Sequence, residues 1–110
     1  MSVRDQMQAD LREAMRARDR PAVVALRTAL AALSNAEAPS IDSAPLEVRG
    51  DLVQHVRREL TDDDAAAVLR SQIVDRERTI TELLPHGQDA EVANLRAEIA
   101  ALRPYVADGS

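Results

Sequence analysis

The segment Pro21–Glu37, PAVVALRTALAALSNAE, constrains this chain more than any other stretch. It is the most apolar run in the sequence, and its spacing predicts one continuous helix. At about 100° per residue, Val23, Leu26, Leu30 and Leu33 fall within about 80° of one another, so the helix carries a single buried stripe. Glu37 lands in the middle of the same stripe, one turn past Leu33. A carboxylate there points at the core from the C-terminal end of its helix, where the dipole disfavours negative charge. Such a group requires a cationic partner from another segment.

The remaining sequence reads as further helices. Ser2 is an N-cap for a first helix reaching Arg18, with Val3, Met7, Leu11 and Ala14 as its stripe. Asp19 then caps the second helix, and Pro21 sits in the first turn, where a missing N–H costs nothing. The second helix stops before Pro39, because the residue ahead of a proline is pushed out of the α region. Residues 38–59 are rich in Pro and Ser at the start and read as a spacer, with a short helix expected at about 50–59. Thr61-Asp62-Asp63-Asp64 opens a third helix that runs to about Leu84, its threonine hydroxyl and carboxylates placed where the dipole favours them. The stripe there is Ala65, Leu69, Ile73, Ile80 and Leu83. After the break Pro85-His86-Gly87-Gln88, a fourth helix from about Asp89 to Arg103 carries Val92, Leu95, Ile99, Leu102 and Val106. The expectation is one all-α domain over residues 1–110, a small bundle of two helical hairpins with a frayed tail at 107–110.

Composition narrows the function. With no Phe, no Trp and one Tyr, the core is built from Ala, Val, Leu and Ile. There is no Cys, hence no disulfide framework and no thiolate metal site. His55 and His86 are each isolated, without the spacing of a metal-binding pair, and no metal or other cofactor is expected. No phosphate loop, dinucleotide fingerprint, calcium loop or nucleophile elbow is present, so an independent active site is not visible. Arg27 breaks the longest apolar run well short of the roughly 20 residues that span a bilayer. The polar N-terminus does not resemble a signal peptide, and a cytoplasmic protein without membrane contact is expected. The net charge of −5 resides in residues 61–110, which hold five Arg against ten acids. That balance argues against strong phosphate-driven nucleic-acid binding. Arg12, Arg16, Arg18, Arg20 and Arg27 form the one locally basic cluster. It is either a solvated helix face or an RNA-contacting patch, the latter weakened by the absence of stacking aromatics.

Two charges break the helical pattern, Glu37 on the second helix and Arg76 on the third, and Glu98 on the fourth comes close to doing so. The simplest arrangement lets the forked donors of Arg76 reach Glu37, Glu98 or both, with Gln72 one turn away. These groups either lock the register of three helices from within the bundle or line a recognition groove for a partner.

Three blocks of the chain, in order, resemble the N-terminal domain of the GatB/YqeY family. The first, MQADLREAMRARDRPAVVALRTALAALSNAE, supplies Leu11, Ala14, Met15, Asp19, Leu26, Arg27, Ala32, Leu33, Asn35 and Glu37. The second, LTDDDAAAVLRSQIVDRERTITEL, supplies Leu60, Thr61, Val68, Ile73, Arg76 and Ile80. The third, LRAEIAALRPYV, supplies Glu98, Ile99, Leu102, Tyr105 and Val106. The resemblance implies an all-α domain related to the tail of the B subunit of the tRNA-dependent amidotransferase of bacteria. It carries the family label of a carbon–nitrogen ligase with glutamine as amido-N-donor. In that enzyme the catalytic machinery lies outside the tail, which implies a non-catalytic interaction module here, docking on a protein or ribonucleoprotein, with tRNA as an alternative partner. Family members typically continue into a second helical domain, and the sequence is expected to be a form lacking it. Glu37, Arg76, Glu98, Gln72, Arg27 and Asn35 are expected as inward polar residues that either hold the bundle or serve recognition.

Overall fold

The computed structural model describes residues 2–37 and 60–106. The short helix expected at about 50–59, the rest of the spacer and the tail at 107–110 lie outside the described residues. Among the described residues four α-helices occur: α1 (Val3–Ala17), α2 (Arg20–Glu37), α3 (Asp62–Leu83) and α4 (Asp89–Leu102). Short 3₁₀ turns follow the last two, at Leu84–His86 and Arg103–Tyr105. No strand occurs among the described residues.

Local chemistry accounts for the boundaries. The Ser2 hydroxyl accepts from the Asp5 N–H at 3.1 Å and caps α1. The helix closes at Arg18, whose backbone is left-handed at φ 57°, with its N–H directed at the carbonyls of Ala14 and Met15. A left-handed closure satisfies the last carbonyls of a helix and turns the chain sharply. The Asp19 carboxylate then accepts from the Ala22 N–H at 3.4 Å, capping α2. At α3 a reciprocal capping box is complete: Thr61 Oγ1 accepts from Asp64 N at 3.0 Å, and an Asp64 carboxylate oxygen accepts from Thr61 N at 3.3 Å. Between α3 and α4 the turn is closed by Gly87, whose φ of 68° lies where a side chain would be strained. Pro104 fits within the 3₁₀ turn that ends the described chain.

Helix α2 is the centre of the bundle. It packs against α1, α3 and α4, while α3 and α4 pack against each other. The core joins Met7 and Ala14 of α1, Ala25, Leu26, Ala29 and Leu33 of α2, Ala65, Leu69, Ile73 and Ile80 of α3, and Val92, Leu95, Ile99 and Leu102 of α4. The predicted stripes of α1, α3 and α4 all face this core, their outer members half-buried. On α2 the stripe is displaced. Ala25 and Ala29 are fully buried, whereas Val23 and Leu30 are only partly so. A helix approached from several sides buries more than one stripe, and the small residues on its flank set how closely its neighbours can come.

This close approach carries a testable cost. Ala29→Leu is expected to lower stability by about 1–3 kcal/mol, because added methylenes in a filled core force neighbours off their rotamers. Ala31→Leu on the exposed side of the same helix is expected to change it by less than about 0.5 kcal/mol. Thermal or urea unfolding of the two variants checks the difference.

Candidate functional site

The polar residues that face inward meet at Arg76, on α3. Its Nε donates to Glu98 Oε1 of α4 at 2.8 Å. Its Nη1 donates to the Gln72 carbonyl at 3.0 Å and to Gln72 Oε1 at 3.2 Å. Its Nη2 donates to Thr28 Oγ1 of α2 at 2.8 Å. One guanidinium therefore links three helices. The pair is well shielded, with 11% of the Arg76 side chain and 14% of the Glu98 side chain exposed. The Thr28 hydroxyl completes the chain by donating back to the Val24 carbonyl of its own helix at 2.9 Å. No buried side-chain polar atom among the described residues lacks a partner.

Of the two acids the sequence offered to Arg76, the structure pairs it with Glu98, and Glu37 is held elsewhere. Its Oε1 accepts from Arg4 Nη2, in the first turn of α1, and Arg4 Nη1 donates to Ser34 Oγ at 3.2 Å. The reason is axial. The tight turn at Arg18–Asp19 brings the start of α1 alongside the end of α2. Thr28, which receives Arg76, lies nine residues before Glu37, about 13 Å back along the helix at 1.5 Å per residue. A cation placed at the end of α2 also complements that end of the dipole.

Of the other residues expected to face inward, Gln72 belongs to the Arg76 cluster, whereas Arg27 and Asn35 are exposed on the outer side of α2. They sit about 100° and 180° around the helix from Leu26, away from the core. Arg12, Arg16, Arg18 and Arg20 are exposed at the α1–α2 turn, with Arg16 paired to Glu13. His86 is exposed in its turn, and His55 lies outside the described residues.

Sequence reasoning missed Arg4, Ser34, Thr28 and Asp10. Arg4 and Asp10 flank the α1 stripe, each about 60° from Met7. That border position is the signal they left. Asp10 receives the hydroxyl of Tyr105, tying the last 3₁₀ turn to α1. Burial, followed by the neighbouring carboxylate, raises the Tyr105 phenol well above its ordinary value of 10.0.

Next to the Arg76 cluster a groove of about 390 Å³ runs between α2 and α4, lined by Arg20, Pro21, Val24, Asn94 and Glu98. Val24 is 46% exposed there, although it belongs to the central helix of the bundle. Met15 of α1, 49% exposed, lies on the other side of α2, its sulfur 3.9 Å from Arg27 Nη2. No group of His, Cys, Asp or Glu suited to a metal ion occurs among the described residues. No helix among them is long and apolar enough to cross a membrane.

These features define a small all-α bundle whose three-helix junction is closed by one arginine. The family model described as Yqey-like protein matches residues 4–108, and the chain belongs to that family. Comparison with curated proteins and with solved structures gave no match.

Arg76→Ala leaves the shielded Glu98 carboxylate without its cation and is expected to cost about 3 kcal/mol. The double variant Arg76→Leu/Glu98→Leu is expected to recover most of that loss, since it removes both charges together. Chemical unfolding of the single and double variants gives the comparison. A second expectation concerns pH. Tyr105 is the chain's one tyrosine, and there is no tryptophan, so phenolate absorbance reports on it alone. The raised phenol favours the folded state while protonated. Its contribution is therefore intact below 10.0 and is lost as pH climbs above that value. Asp10→Asn is expected to lower the midpoint of the phenolate titration, because the neighbouring negative charge is gone.

Proposed function

We propose that this protein is a cytoplasmic, non-catalytic helical interaction module related to the tail of the amidotransferase B subunit, and that it docks on a protein or ribonucleoprotein partner. The observation that carries this reading is the uncovered outer side of α2. A central helix ordinarily spends its apolar side chains on the core, yet here Val24 stands open beside a groove. An exposed apolar patch rimmed by polar residues marks an interaction surface. The inward polar groups support the same reading from the other direction. Arg76, Glu98, Gln72 and Thr28 satisfy one another, as Arg4, Glu37 and Ser34 do, so their chemistry serves the frame that holds this face in shape.

An RNA-binding accessory role is the alternative. It is favoured by the exposure of Arg12, Arg18, Arg20 and Arg27 at one end of a molecule whose overall charge is negative.

Affinity capture from native cells, with identification of bound protein and RNA, tests the two readings together. The expected result is a specific protein or ribonucleoprotein retained at moderate salt. Capture of free tRNA lost on Arg→Ala substitution of the cluster favours the alternative. The purified protein is expected to show no glutamine-dependent amidation of misacylated tRNA. Turnover in that assay by the isolated chain overturns the non-catalytic reading, and turnover only with amidotransferase subunits present makes the protein an auxiliary of that complex.

A further inference from the structure

The open side of α2 carries a charge pattern as well as an apolar one. Arg20 lies four residues before Val24 and Arg27 lies three after it, all three on the solvent side of the helix. The two arginines are seven residues apart, about 10.5 Å along the axis. Two turns of any second helix laid along α2 repeat at the same interval. A helix with carboxylates at i and i+7 and an apolar residue between them therefore meets both guanidinium groups and the Val24 side chain at once. Pro21 and Met15 widen the apolar strip on either side. Glu98, the acid that lines this groove, is paired with Arg76, which offsets its charge toward an incoming carboxylate.

From this spacing we infer that the outer face of α2 is a seat for an acidic amphipathic helix of another protein, its apolar ridge on Val24 and its carboxylates on Arg20 and Arg27. This rests on the docking reading above and names the partner's chemistry. Charge sets the selectivity. The chain as a whole bears −5, so an acidic segment is repelled elsewhere and drawn to this end, where Arg12, Arg18, Arg20 and Arg27 stand against Asp19. A basic helix meets the opposite field.

The probe is a fluorescent synthetic helix of Leu and Glu, with Glu at i and i+7 flanking Leu, compared with the same peptide carrying Lys for Glu. The acidic peptide is expected to bind the full chain and to shift amide resonances along Arg20–Ala31. Val24→Asp and the double variant Arg20→Glu/Arg27→Glu are each expected to weaken binding about tenfold or more. The double variant is expected to accept the Lys peptide instead. Circular dichroism checks that both variants, altered only at exposed positions, keep their helices. A second groove, of about 710 Å³, lies between α3 and α4 and is lined by Glu77, Ile80, Arg96 and Ile99. Failure of the acidic peptide to bind, equal affinity for both peptides, or resonance shifts centred on that second groove overturns the inference. So does a protein that ignores the peptide but binds tRNA through the same arginines. A cellular partner that is still captured by Val24→Asp overturns this seat while leaving the docking reading intact, which separates the two failures.

Discussion

The guanidinium of Arg76 spends its donors on three helices, and each helix is positioned in part by the other two. Thr28 from α2, Gln72 from its own helix and Glu98 from α4 converge on one planar group. A planar fork with fixed donor directions tolerates little rotation of any partner, so the junction selects one relative register of α2, α3 and α4. The core side chains around it, Ala, Val, Leu and Ile with Met7, carry no directional groups, so the polar contacts at this shielded site add orientation to their packing.

The same junction determines what is left outside. With Thr28 turned toward Arg76, the next positions around α2 are held facing solvent between α1 and α4. The groove beside Val24 is thus a product of the register and not an independent feature. A polar knot and an open apolar face belong to one arrangement, in which the first gives the second a fixed shape. That pairing connects the partly shielded polar residues of the junction to a surface available for recognition.

Much of this was legible in the sequence, for identifiable reasons. Helix boundaries followed from Ser2, Asp19, Thr61 and Gly87, because caps and turns are decided by a few neighbouring atoms. The stripes of α1, α3 and α4 followed from spacing, since each buries one side. The α2 stripe shifted because that helix is surrounded, and no one-dimensional pattern says how many neighbours a helix has. Arg76 stood out as a charge on an inward position and Glu98 as one at the border of its stripe, and the structure joins them. The partner of Glu37 did not emerge from the pattern, because Arg4 is separated from it by a full hairpin and the match depends on how far α1 slides along α2. Thr28 was invisible for a different reason. A threonine on a helix flank usually bonds its own backbone, and only the placement of α3 reveals its second role.

The attachment of α1 has an effect on how the molecule comes apart. This helix packs chiefly on α2, while α2, α3 and α4 each touch the other two. Two polar clasps hold it down at separated points, Arg4 with Glu37 near its beginning and Asp10 with Tyr105 further along. The junction of the three remaining helices includes no residue of α1. The first arm thus has fewer neighbours than the rest, and its amides are expected to meet solvent earliest as the native state fluctuates.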